Sequence, residues 1–391
     1  MAASYDVVVV GGGIGGLTVA ALLAARGVGT CVLERQSQVG GCVGRVEFSG
    51  HEFEPGMGVY TSFGAGEIYE RIFAELPVEV PKTSLVAQPY VIRLADGKDL
   101  RLFRDESFFA ELTAASPECA RANLQTSRLR EPLYAIEGGP AALAERLAES
   151  IKRSGGAVRL NTPVLRLAYD DSGAAIGVDL LNGERVTATR AIVSNLTIWD
   201  TYGKLIGLNR TPPEIKKQLN ALSGSGAYVV YATIEEAAVK RLPSERMLVT
   251  TTSSDPDDDW FSEITLAVYG GTVTLKSATD VNDWFTYHAS EEEFEESDQA
   301  ALERFWTKLH AALPELGSGI EIIETANPRT FYDQTRRKLG MVLGIPSLKI
   351  SSPQTVLPNL FMVGDTVSPF PDLSSIAETA LSLADTLKTK R

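Results

Sequence analysis

Gly11, Gly13 and Gly16 stand in a G-x-G-x-x-G register directly after the apolar run Val7–Val10. This spacing suits the pyrophosphate of a dinucleotide. A tight turn needs Gly11, close backbone approach to phosphate needs Gly13, and close packing of the next helix on the strand needs Gly16. Ile14 and Gly15 lie inside the same loop. The helix that follows, through Leu17 to Ala25, directs its N-terminal amides and the positive end of its dipole at the phosphates. A second apolar strand, Thr30–Leu33, ends in Glu34, eighteen residues after Gly16, with Arg35 beside it. A carboxylate there accepts hydrogen bonds from an adenosine ribose and favours a free 2′-hydroxyl over a 2′-phosphate.

NAD and FAD share that much, and the next residues distinguish them. Gly40-Gly41, Arg45 and the stretch Phe53-Glu54-Pro55-Gly56-Met57-Gly58 resemble the continuation found in flavoproteins of the glutathione-reductase-like class. The resemblance is to its amine oxidase branch, and within it to phytoene desaturases and carotenoid isomerases. It runs on through Glu137-Gly138-Gly139, the helical pattern Leu143, Leu147 and Ile151, and Val164. Asn327-Pro328-Arg329-Thr330 with Thr335, Arg336, Gly340 and Gly344 is similar to a later motif of the same group, and Asn359–Asp365 to its last one. Roughly half the chain is covered, in the right order.

The resemblance implies non-covalent FAD in an extended pose. Gly40 and Gly41 then pass the pyrophosphate, Arg45 neutralises it, Val164 presents backbone to adenine, and Gly56 and Met57 lie beside the isoalloxazine. Gly364 and Asp365 meet the ribityl chain. Asp372 stands at a natural N-cap, and the helix opening at Leu373 and Ser374 aims amides at the pyrimidine end of the flavin. Where the family usually has glycines at this turn, the chain has Asp372-Leu373-Ser374-Ser375.

The fold expected is α/β: a Rossmann-like FAD-binding domain with a discontinuous, antiparallel-sheet substrate domain. The FAD-binding domain takes residues 1–70, 135–205 and 345–391, and the substrate domain residues 71–134 and 206–344. In the latter, Ala227–Ile234, Met247–Thr252, Glu263–Val268 and Thr272–Lys276 read as strands. Ser290 to Glu293 reads as a capping box that opens a helix to Ala312.

Composition bounds the function. With 391 residues and 44% apolar content the chain can bury a large core. A net charge of −13 and the lack of a basic stripe exclude a nucleic-acid partner and simple attachment to anionic lipid. Cys31, Cys42 and Cys119 are too few for a disulfide framework, and with His51, His288 and His310 they form no metal-like spacing, so no metal is expected. Met1 to Asp6 carries no secretory n-region and no run approaches a spanning helix. A cytoplasmic protein with no stable membrane insertion is expected. Only about 75 residues separate the first flavin segment from Glu137, fewer than membrane-associated carotenoid desaturases have.

The expected activity is FAD-dependent desaturation, saturation or isomerisation of an apolar, carotenoid- or isoprenoid-like small molecule, with the electron acceptor left open. Met57, Tyr332, Arg336 and Asp372 are the residues expected near the ring. The strands around Tyr228–Ile234 and Ile264–Val268 should supply an apolar pocket lining. An amine oxidase or protoporphyrinogen oxidase-like flavoenzyme, and a non-enzymatic escort of prenylated or lipid partners on the same fold, are the alternatives.

Overall fold

Val7 to Val10 are buried on both faces, and their strand, Ala3–Val10, takes the centre of the parallel part of a seven-stranded mixed sheet. The computed structural model describes residues 3–86, 91–101, 132–222, 224–251, 260–285, 291–343 and 354–389. Ala3–Val10 pairs in parallel with Thr30–Leu33 on one side and Arg185–Ser194 on the other. Ala157–Arg159 extends the first edge, and Leu360–Met362 runs parallel to the end of Arg185–Ser194.

Strands this apolar need cover on both faces. Helices Ile14–Ala25, Gly139–Arg153 and Leu373–Thr389 supply one side, where Leu17, Leu147 and Leu383 share a core. Ile14–Ala25 touches both other helices and is buried almost all round, which explains why its sequence is apolar without a stripe. The other side packs against Trp199, Leu205 and Leu219, and against Leu167 and Val178 of an antiparallel ribbon, Val164–Tyr169 with Ala175–Leu180.

The second sheet runs in the order Ile320–Ala326, Ser225–Ile234, Thr272–Asp280, Glu263–Tyr269, Arg246–Thr250, Val91–Arg93, Asp99–Arg101. The four strands expected from sequence are all in it, and Thr272–Asp280 is longer than the run to Lys276 suggested. Alternation decides its two faces. Tyr228, Val230, Leu266 and Leu275 pack under helix Glu291–Ala312 with Phe305 and Leu309. Ala227, Val229 and Tyr231 point the other way and meet Phe53, from the hairpin Val46–Phe48 with His51–Phe53.

Ile72, Phe73, Leu76 and Val78 pack in the core with Leu17 and Leu147, and Ile206 and Leu219 pack with Trp199 on the other face of the first sheet. Ser290 of the expected capping box, Cys119, His288, Gly344 and most of the shortened segment before Glu137 lie outside the described residues. Among the described residues, no helix is long and apolar enough to cross a membrane.

Candidate cofactor cleft and its roof

The glycine loop is tied down by backbone bonds at both ends. Gly11 N donates to Leu33 O at 2.9 Å, and Gly40 N donates to Gly12 O at 2.8 Å, which brings the Gly40-Gly41 turn against the loop. Glu34, 8% exposed, accepts from Gly12 N through Oε2 at 2.6 Å and from Gln36 N through Oε1 at 2.7 Å. A carboxylate has about four lone-pair directions, so acceptor capacity remains for ribose hydroxyls. Thr162 N donates to Glu34 O at 2.8 Å, which seats the start of the Val164 strand at the same edge.

Asn195 organises this region, and sequence alone gave it only as a strand end. Its backbone N donates to Val10 O at 2.8 Å while its Oδ1 accepts from Gly16 N at 3.0 Å. A Cβ on Gly13 would stand 2.4 Å from Asn195 Nδ2, and one on Gly16 would stand 2.6 Å from Gly11 O. These glycines are thus required by close approach. The Gly364 turn arrives at the same point, since a Cβ on Gly15 would be 3.2 Å from Gly364 N.

The cation at this junction is Arg337. It pairs with Asp365 at 2.5 and 3.3 Å, donates through Nε to Met341 O at 2.8 Å, and has Cys42 Sγ 3.9 Å from Nη1. Burial works against the Arg337 charge, but Asp365 and Cys42 outweigh it and its pKa rises. Cys42 is exposed by surface area, yet burial is the first cause that pushes its thiol pKa up, with Arg337 opposing. Both facts hold for a residue on a cleft wall, open to water but surrounded by protein.

Two family models match the chain. A NAD(P)-binding Rossmann-like domain model covers residues 9–76, and the model for flavin containing amine oxidoreductases covers residues 100–368. The chain belongs to the flavin-containing amine oxidoreductase family. Prolycopene isomerases of Daucus carota and Arabidopsis thaliana are 22% and 23% identical to it, over 97% of this chain and 79% and 82% of theirs. A carotenoid 3,4-desaturase of Haloarcula japonica is 44% identical over 69 residues, 18% of this chain and 13% of its own. Among solved structures, an oxidoreductase from Methanosarcina mazei superposes with TM-score 0.69 at 16% identity, over 97% of this chain and 99% of that one. Putrescine oxidase bound to putrescine gives 0.64 at 15%, over 98% and 99%.

The cleft of this flavoprotein fits FAD. The glycines leave the backbone bare of side chains along it, and the Glu34 and Asp365 carboxylates, held by Gly12 N and by Arg337, keep unused acceptor directions.

Next to it, Glu54 is buried beneath the Gly56-Met57-Gly58 loop and accepts from Tyr60 Oη at 2.6 Å. Burial pushes the Glu54 carboxyl pKa up, against the Tyr60 and Gly56 hydrogen bonds. Burial, and then Glu54 itself, pushes the Tyr60 phenol pKa well up. Arg246 Nε donates to Met57 O at 3.0 Å, so the second sheet is docked directly on this loop. At the C-terminal helix, Asp372 Oδ1 accepts from Ser375 N at 2.8 Å, the cap expected from sequence. Ser374 Oγ lies 2.7 Å from Thr61 Oγ1, and Tyr69 Oη donates to Leu373 O at 2.9 Å, which fixes the helix start against the Met57 side.

Several expected site residues stand elsewhere. Arg45 is held at the surface by Glu145 at 2.8 Å and Glu52 at 2.9 Å. Arg35 donates to Gln334 O. Arg336 pairs with Asp333 at 2.8 Å with its side chain half exposed, and Tyr332 lies edge-on to Phe285. Arg337, one residue on, is the one that enters the cleft. The pocket lining also differs from expectation: Tyr228, Ile264 and Leu266 face the opposite core, and polar Thr265, Thr274, Lys276 and Arg246 accompany Val229 and Tyr231 on the cleft side. A separate cavity of about 640 Å³ opens beside Ser225, Ala278, Asn282 and Lys338, and none of the expected site residues line it. His51 is exposed on its hairpin, and no cluster among the described residues could hold a metal.

Proposed function

We propose that this chain is a FAD-dependent oxidoreductase that desaturates, saturates or isomerises an apolar, unsaturated, carotenoid- or isoprenoid-like small molecule. The observation that carries it is the convergence of Gly12–Glu34, Asn195–Gly16 and Arg337–Asp365 on one cleft beside a sheet docked over Met57. Likeness to prolycopene isomerases over nearly the whole chain supports the substrate class.

Gly11, Gly13, Ile14, Gly15, Gly16, Gly40 and Gly41 would bind the pyrophosphate. Glu34 would take the adenosine ribose, Val164 the adenine and Asp365 the ribityl hydroxyls. Arg337 takes over the charge role expected of Arg45, and Arg35 and Arg45 become supports of neighbouring loops. Gly56, Met57, Leu373 and Ser374 would border the ring, with Asp372 as helix cap. Bound FAD supplies the electron transfer. The chain's own part is to orient a carbon–hydrogen or double bond, exclude water with the sheet, and keep Glu54 protonated beneath the Met57 loop to higher pH than a free glutamate. A non-enzymatic escort needs no cofactor contacts and tends to lose them, so the retained Glu34 and Asp365 carboxylates speak for an enzyme.

The test is direct. Purified protein should be yellow, release free FAD on denaturation, and convert a polyene in a flavin-dependent assay. Protein that stays colourless after incubation with FAD would overturn the reading.

A further inference from the structure

The sheet face over the Met57 loop is ordered in rows. Register places Tyr231, Thr274, Ala267 and Arg246 in one row, and Val229, Lys276, Thr265, Leu248 and Ile92 in the next. Facing residues of one strand recur every second position, so Thr272, Thr274 and Lys276 share a face. Thr272 Oγ1 donates to Glu52 O at 2.9 Å and Arg246 Nε to Met57 O at 3.0 Å, which identifies this face as the one against the cofactor-binding part of the chain. Lys276 lies one row beyond those docking contacts.

Two polar groups on this face have no partner. Thr274 is 4% exposed and its Oγ1 is buried without a hydrogen bond. Lys276 is half-buried, and its ammonium has no hydrogen-bond or ion-pair partner among the described residues. Burial alone lowers its pKa, so no opposing charge sits nearby. Unpaired buried polar groups are costly and call for a ligand.

We propose that Lys276 is a subsite for the anionic end of the substrate, so that the molecule taken is an unsaturated apolar chain bearing a carboxylate. An amine substrate is disfavoured at the same place, because its ammonium would face that of Lys276. Aliphatic Val229, Leu248 and Ile92 in the same row suit the apolar portion. The inference rests on the proposed function and narrows its substrate class.

The probes are retinoic acid and its methyl ester, titrated into flavin-loaded protein and read by the change in flavin absorbance. The acid should bind about tenfold or more tighter than the ester, as expected for a charge-assisted hydrogen bond. Lys276→Met should abolish that preference and leave ester binding unchanged, while Lys276→Arg keeps it. Equal binding of acid and ester, binding of neither, or equal losses of both in Lys276→Met would overturn the subsite while leaving the flavin reading intact. Wild-type protein that takes up no flavin would remove both.

Discussion

Arg337 and Asp365 meet at 2.5 Å where the glycine loop and the Gly364 turn converge. The side chains are 13% and 23% exposed, so neither charge is fully hydrated. Arg337→Met leaves Asp365 uncompensated and should cost about 1–3 kcal/mol of folding stability. The adjacent exposed pair offers a control, since Arg336→Met should cost under about 1 kcal/mol. Urea unfolding of the two variants side by side checks the ranking, and equal losses would refute it.

Asn195 and Gly13 should behave as one unit. Gly13→Ala puts a methyl group 2.4 Å from Asn195 Nδ2 and should lower FAD retention sharply. In an Asn195→Ala background that clash is gone, so the added cost of Gly13→Ala should shrink, the non-additivity expected of residues in contact. A double-mutant cycle on FAD affinity measures it. Strict additivity would show that Asn195 does not shape the loop.

How far the site could be read from sequence depends on range. Gly11, Gly13, Gly16 and Glu34 form a local motif, and each side chain is dictated by the strand-turn-helix-strand that carries it. Arg45 belongs to a readable motif too, but its partners include Glu145, a hundred residues on, and no local rule reveals that pairing. Arg336 and Arg337 are indistinguishable as residue types. The left-handed backbone at Arg336, φ 57°, turns the chain so that the second of them faces inward. Lys276 was hidden because its role depends on which face of a strand meets Met57, a register fixed by contacts with Glu52 and Met57.

Glu34 should matter to the apo fold as well as to FAD. Its two oxygens hold Gly12 N and Gln36 N, so Glu34→Ala loses both acceptors. FAD affinity should fall by about 1–3 kcal/mol, and the apo protein should lose a similar amount. Isothermal titration with FAD and apo melting separate the two. Unchanged FAD affinity would mean that the adenosine end lies elsewhere.

Glu54 predicts a pH dependence. Its carboxyl pKa is raised in the folded chain by burial, so folding retains a proton that the unfolded chain gives up from about pH 4.3 upward. Folded protein then binds more protons than unfolded protein, and stability falls as pH rises from the ordinary glutamate pKa to the raised one. Tyr60, Arg246 and Glu52 are the other charged or titratable groups acting on it. Glu54→Gln should flatten that decline, measured as stability against pH for both proteins. A wild-type stability that instead rose relative to Glu54→Gln across the window would reverse the assigned sign.

Cys42 reports on the cleft itself. Its thiol pKa is raised by burial, so it should react with iodoacetamide more slowly at neutral pH than its surface exposure suggests. Cys31, fully buried and pushed up to about 11, should not compete. Arg337→Met removes the one nearby cation that opposes the rise and should slow Cys42 further. FAD bound along Gly41 and Asp365 should shield the thiol. Mass-spectrometric mapping of the labelled peptide, with and without FAD, measures both effects, and labelling that FAD leaves unchanged would place the cofactor away from the Gly41 turn.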